Sequence, residues 1–278
     1  MGNLRAVATI AAIAFTAACG DDGGSDKIDA PIKIIDAALP DAPPDAYVPD
    51  APSYDFNCLN NTAPTTATAT VTISGTAQEV STSFALQPSA GVSIQACKGS
   101  PCTGQNNIGT TGPTTTNGAY TSSVATTGGL PLDGYLVATK AAYRTNRIYP
   151  ASPLTKNEAG VPVLMLSEAQ IPLLGMLPGA TTQMTGKSMF AVLLTDCATP
   201  PTAIPGATLV VQQNGATVGD APYDLGTFSA MAEGLFLVTN VPAGDTTVSA
   251  TYNGMTFRAH VVGAIADQIT TTQVKPGF

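Results

Sequence analysis

From Asn57 onward the chain consists of short runs of alternating apolar and polar residues, each stopped within a few positions by Gly, Pro or Asn. Successive side chains of a strand point to opposite faces, so such runs bury one face and leave the other wet, and breakers this dense leave little length for helices. The alternation is plainest in Ala69-Thr70-Val71-Thr72-Ile73 and Val248-Ser249-Ala250-Thr251-Tyr252. It restricts the chain to all-β architecture, with antiparallel strands packed as sandwiches.

The strand pattern occurs twice. Gly91-Val92-Ser93-Ile94-Gln95-Ala96 matches Gly206-Ala207-Thr208-Leu209-Val210-Val211, and Asn117-Gly118-Ala119-Tyr120 matches Glu233-Gly234-Leu235-Phe236. The second glycine follows the first by 27 residues in one copy and 28 in the other. Gly134-Tyr135-Leu136-Val137-Ala138 then answers Gly244 to Ala250. The expected organisation is a first sandwich over 56–166, a linker over 167–186 and a second sandwich over 187–278. Within the linker, Ser167 is placed to cap a short helix from Glu168 to Leu177 that tolerates Pro172 near its start. Its apolar side chains are expected to pack between the two sandwiches.

The order of a glycine-led strand, an acidic or amide residue with Gly and an aromatic, then Val-Pro-x-Gly and an alternating strand resembles the carboxypeptidase-regulatory-like, or transthyretin-like, β-sandwich. The second copy carries it best, in Ile204 to Val211, Ala232 to Thr251 and Phe257 to Val262. The first copy has Gly129-Leu130-Pro131-Leu132-Asp133-Gly134 in place of the Val-Pro-x-Gly turn. The resemblance implies two tandem transthyretin-like or Ig-like sandwiches serving folding, stability or recognition rather than turnover. One enzyme class on this sandwich, the intradiol ring-cleavage dioxygenases, holds iron with two Tyr and two His. His260 is the single histidine here, so that ligand set is incomplete.

The N-terminus points to a compartment. Arg5, the apolar run Ala6 to Phe15 and the small residues Thr16-Ala17-Ala18 precede Cys19, and this arrangement resembles the signal and lipobox of bacterial lipoproteins. It implies a signal peptide over 1–18, lipid on Cys19 and attachment to a membrane; Gly20 after the cysteine resembles the pattern of outer-membrane or cell-surface proteins. Leu4 to Ala18 is too short for a bilayer-spanning helix, which needs about 20 residues. Residues 19–55 repeat Asp-Ala with Pro, a composition expected to stay disordered as an extended tether.

The net charge of −8 belongs mostly to that tether. Residues 20–55 carry nine Asp against Lys27 and Lys33, whereas residues 56–278 carry ten acidic and eight basic side chains. A nearly neutral folded part has no field to gather nucleic acid. With Cys19 reserved for lipid, Cys58, Cys97, Cys102 and Cys197 form an even set suited to an oxidising compartment. The five-residue spacing of Cys97 and Cys102 around Gly99-Ser100-Pro101 favours their pairing, leaving Cys58 for Cys197. A zinc site fits poorly, for want of CxxC spacing and nearby histidine.

Catalytic signatures are thin. The lone His260 falls in a predicted strand, and no GxSxG, phosphate-loop or HExxH sequence accompanies it. No catalytic residue, metal or cofactor is therefore expected; Asp220, Asp224 and Asp245 are the one carboxylate group to weigh as a glycosidase pair or a calcium site. Two functional readings follow. The first is a membrane-anchored, non-catalytic cell-envelope lipoprotein that presents two sandwiches for interaction with an envelope protein or polysaccharide or for a structural role. The second is a carbohydrate-binding or accessory module of a secreted hydrolase. In a chain without Trp, the second requires a stacking surface from Tyr120, Tyr135, Tyr143, Tyr149, Tyr223 or Tyr252.

Overall fold

In a computed structural model, the described residues are 53–81, 85–227, 229 and 232–278. The signal, Cys19 and the tether up to residue 52 lie outside them. The apolar-polar alternation becomes strands as expected. In β1 (Thr70–Val80), Val71, Ile73 and Ala77 are buried and the residues between them are not. The remaining elements of the first half are β2 (Leu86–Pro88), β3 (Ser93–Cys97), β4 (Asn107–Thr111), β5 (Ala119–Ala125), β6 (Tyr135–Thr139), β7 (Asn146–Tyr149) and β8 (Glu158–Met165). After a helical turn, α1 (Ile171–Leu174), come β9 (Ser188–Leu194), β10 (Thr208–Gln213), β11 (Ala216–Thr217), β12 (Tyr223–Asp224), β13 (Leu235–Val241), β14 (Gly244–Tyr252), β15 (Met255–Thr256), β16 (His260–Ala264) and β17 (Ile269–Val274).

The protein is all-β, and its two halves share one strand plan. In the first, β1 lies between β5 and β8, while β7, β6, β3 and β4 run side by side in that order. In the second, β9 lies between β13 and β17, while β16, β14, β10 and β11 run side by side. Each half ends on a strand parallel to its own first strand, β8 on β1 and β17 on β9. Alternation does not report these parallel pairings, because it fixes only which face is buried. A first core fills the space between β1, β5, β8 and β3, β6, β7, with Val71, Ile94, Val124, Leu136, Ile148 and Met165. A second lies between β9, β13, β17 and β10, β14, β16, with Phe190, Leu194, Leu209, Phe236, Val248 and Val274.

The equivalence extends to single hydrogen bonds. The Ala77 N–H donates to the Gly118 carbonyl and the Ser89 N–H to the Ala77 carbonyl, both at 2.8 Å; in the second half Leu194 donates to Gly234 at 2.8 Å and Ile204 to Leu194 at 2.9 Å. Gly118 and Gly234 have φ of +72° and +69° and face backbone, where a Cβ would collide with the Ala77 carbonyl or lie 2.9 Å from the Ile204 nitrogen. Positive φ and close backbone together demand glycine.

The two halves are joined through the sheet. β17 pairs in parallel with β7 as well as β9, so a single sheet runs β12-β13-β9-β17-β7-β6-β3-β4. The linker covers one face of that sheet: its Ile171, Leu174 and Leu177, with Leu166 just before it, pack with Met189, Leu237 and Ile269, and Val80 lies against the same cluster. Its helix is shorter than the expected Glu168–Leu177. Gln170 stands at the N-cap, and Ser167 makes no cap because its N–H and hydroxyl bond to Gln170 Oε1 at 2.9 and 3.0 Å. Pro172 has no N–H to continue an earlier turn, so helix forms only around it.

The disulfides are Cys58–Cys197 and Cys97–Cys102. The first fixes the start of the folded chain to the second half. The Asp55 carbonyl accepts from Cys197 N–H at 2.8 Å, and the Phe56 ring lies 6.1 Å from Tyr252 and 6.2 Å from Phe257. Tyr54, at the end of the expected tether, and Phe56, at the start of the expected first sandwich, thus rest on the second core. The apolar side chains Tyr54 and Phe56 explain this, since their partners lie some 200 residues later in the sequence.

Gly118→Ala and Gly234→Ala are each expected to lower the unfolding free energy by about 2 kcal/mol or more, whereas Gly112→Ala, with open space around it, is expected to be near neutral in the same urea titration. By loop length, Cys58→Ser is expected to cost about 4 to 5 kcal/mol and Cys97→Ser about 2 kcal/mol. Equal losses for the two cysteine variants would contradict the placement of the longer bridge.

Candidate functional site

The β7–β17 seam brings together a network of polar side chains from both halves. In β7 (Asn146–Tyr149), Ile148 points into the first core, so Arg147 and Tyr149 point to the opposite face, beside Tyr135 and Val137 of β6. The edge of β16 approaches that face from the second half. A cleft of about 370 Å³ opens between them, with Lys98, Asp133, Tyr135, Arg147, Asp245 and Val261 in its walls.

Arg147 is the hub. Although only 8% exposed, it has no carboxylate of the described residues within 4.0 Å. Its Nε donates to Gln268 Oε1 at 2.9 Å, just before β17, and its Nη1 to the Tyr135 hydroxyl at 3.0 Å, which donates onward to the Gly99 carbonyl at 2.7 Å. The guanidinium lies 5.0 Å from the Tyr135 ring centroid, and Tyr149 stacks on Tyr135 at 4.9 Å. Burial raises the Tyr149 pKa, partly offset by a hydrogen bond from the Gly263 backbone and by Arg147. A Cβ on Gly263 would stand 2.9 Å from the Tyr149 hydroxyl, so any larger residue there displaces that hydroxyl. Sequence reading did not single out Arg147; its one signal is a cation inside the otherwise buried run Asn146-Arg147-Ile148.

His260 lies in a strand, as expected, in β16; it is partly buried, with Nδ1 3.1 Å from Thr272 Oγ1 and its ring edge-on to Tyr149 at 6.3 Å. Burial first, and then Arg258, push its pKa down to about 4, with Asp133 opposing. It is therefore neutral at neutral pH. No carboxylate hydrogen-bonds to its ring among the described residues, so the orienting partner of a hydrolytic triad is not assembled.

The three candidate carboxylates are not brought together. Asp220 accepts from Thr239 Oγ1 at 2.8 Å and from Asn240 Nδ2. Asp224 accepts from the Gly226 N–H at 2.8 Å, and Asp245 sits on β14, in the other sheet, paired with Gly263. No group of three or more His, Cys, Asp or Glu among the described residues is arranged to hold a metal ion. The six tyrosines do not form a stacking platform either. Tyr120 and Tyr135 are buried; Tyr143 donates to Glu79 Oε2 at 2.8 Å; Tyr149 lies on Tyr135; and Tyr252 is enclosed by Tyr54 and Phe56. Tyr223 is half-buried in β12, against the linker cluster. No described helix is long and apolar enough to cross a membrane.

No protein-family model matches the chain, and no curated protein matches it. Solved structures with some likeness include a type II cohesin–X-dockerin complex from Acetivibrio cellulolyticus, at 18% identity over 42% of this chain and 66% of that one, with a TM-score of 0.25. The TIE protein of Bacillus anthracis has 11% identity over 74% of this chain and 33% of that one, with a TM-score of 0.23. The shaft pilin SpaA from Lactobacillus rhamnosus GG has 14% identity over 74% and 96%, with a TM-score of 0.24. This chain therefore spans under two thirds of the Acetivibrio chain and one third of the Bacillus one. Such scores do not establish a shared topology, and the all-β character rests on the sheets themselves.

Because the folded His260 pKa of about 4 lies below its ordinary 6.5, the unfolded chain binds the proton more readily between those values. Its contribution to stability is therefore intact above pH 6.5 and is lost as pH falls toward about 4. His260→Gln is expected to lose less stability than the parent across that window, measured by denaturant midpoints at a series of pH values. Parallel curves for the two proteins would contradict the burial of a neutral imidazole.

Proposed function

We propose that this chain is a membrane-anchored, non-catalytic cell-envelope lipoprotein of the outer membrane or cell surface. Lipid on Cys19 holds it, residues 19–55 form the spacer, and two transthyretin-like sandwiches, 56–166 and 187–278, serve protein interaction or a structural role. The supporting observation is the way the chain is strapped where folding begins. Cys58–Cys197 and the Tyr54–Phe56–Tyr252 contacts attach the spacer's end to the second half, so a pull on the anchor reaches the second core first and the first half only through the β7–β17 seam. A seam of main-chain hydrogen bonds suits a rigid display unit better than a loose tandem would. The shared strand plan and the paired glycines Gly118 and Gly234 support one sandwich type used twice. The carboxypeptidase-regulatory-like reading belongs to this proposal too, through the motif residues Gly234 to Gly244.

The polysaccharide-binding alternative gains little from the tyrosines, which are committed to internal contacts. Two measurements test the reading. Incorporation of a fatty-acid analogue by the full chain in a bacterial host is expected, and Cys19→Ala is expected to abolish it; equal labelling of the two would refute the anchor. In-cell crosslinking through the folded part is expected to capture an envelope protein, and retention on a polysaccharide column instead would favour the carbohydrate-binding module.

A further inference from the structure

The two faces of the eight-stranded sheet are covered differently at the seam. On the second half, the face opposite the core is closed by the linker, with Ile171, Leu174 and Leu177 over Met189, Leu237 and Ile269. On the first half, the face opposite the core carries Cys97, Tyr135, Val137 and Tyr149 with the Cys97–Cys102 loop, and beside them the cleft stays open to the edge of β16. Arg147 lies in this open corner. A buried guanidinium without a counter-charge is costly, and a carboxylate is the group whose two oxygens match its planar donors. Gln268 and Tyr135 take two of its five donors and Tyr149 is a further hydrogen-bond partner, which leaves donors over. Lys98, exposed in the same wall, has no ion pair among the described residues. The wall also holds Asp133 and Asp245, neither of them ion-paired to a described residue.

We propose that the cleft binds a small zwitterion, an amino acid or a dipeptide, with its carboxylate toward Arg147 and Lys98 and its ammonium toward Asp133 and Asp245. The opposite charges in one small cleft set this class apart from simple anions, which the two aspartates repel, and from simple cations, which Arg147 repels. A volume of about 370 Å³ falls within the range of ligand pockets, roughly 300 to 1,000 Å³, and admits a residue or two. The proposal stands apart from membrane anchoring and makes no use of the N-terminal signal.

The test is a saturation-transfer NMR titration of the full chain with alanine, dialanine, N-acetyl-dialanine and dialanine amide. Dialanine or alanine is expected to saturate, and acetylation or amidation of dialanine to weaken binding about tenfold or more, the loss of one charged contact. Tighter binding of alanine supports a free amino acid as the natural source, and tighter binding of dialanine supports a dipeptide. Arg147 belongs to the seam, so the protein variants are Lys98→Glu, at an exposed position, and Val261→Trp, which fills the cleft from a side chain that is 60% exposed. Both are expected to keep the parent's unfolding midpoint and to lose binding. The proposal is overturned if the amide or the acetylated probe binds as tightly as dialanine, if no probe saturates, or if both variants bind as the parent does.

Discussion

The parallel pairing of β17 with β7 is the contact on which the architecture depends. Ile269 to Thr272 face Asn146 to Tyr149 in register while the same strand also bonds to β9, so the last strand of the chain belongs to both halves. A strand bonded on both edges exposes no backbone donors or acceptors that must otherwise be satisfied by solvent or a partner. Side chains reinforce the pairing on both faces. Thr271 Oγ1 donates to Asn146 Oδ1 at 3.0 Å, Asn146 Nδ2 donates to the Leu164 carbonyl at 2.7 Å, and Arg147 reaches Gln268.

Other features follow from that contact. With the seam fixed, the linker has a defined surface to cover, and its sequence supplies Ile171, Leu174 and Leu177 for it. The other corner receives no such segment and becomes the cleft. The disulfide Cys58–Cys197 adds a second constraint, since it delivers the chain to the second core before β1 begins the first. The described residues therefore begin on the second half, build the first, and return to the second.

Much of this was legible in the sequence for a local reason. Alternation reports burial residue by residue, and glycines needed at positive φ stand out as Gly118 and Gly234 do, so strands, repeat and fold class were readable. Cys97–Cys102 was readable because its turn is contained in six residues. The seam was not, because pairing between strands more than a hundred residues apart leaves no mark on the periodicity of either. The docking of Tyr54 and Phe56 was hidden likewise, by their position at the end of an acidic, proline-rich run. Ser167 misled because Gln170 competes for its backbone and hydroxyl groups. Arg147 went unread because a charged residue in a strand ordinarily faces solvent, and the Gln268 that takes its Nε–H lies 121 residues away in the sequence.

The most direct measurement of the shared-strand architecture is native-state amide hydrogen exchange across β7 and β17. The account predicts that Asn146–Tyr149 and Ile269–Val274 exchange with the slow class formed by β9 and β13, through opening of the whole sheet. Fast exchange of the β7 and β17 amides that face each other, with β6 and β9 still protected, would show two independent edges and contradict it.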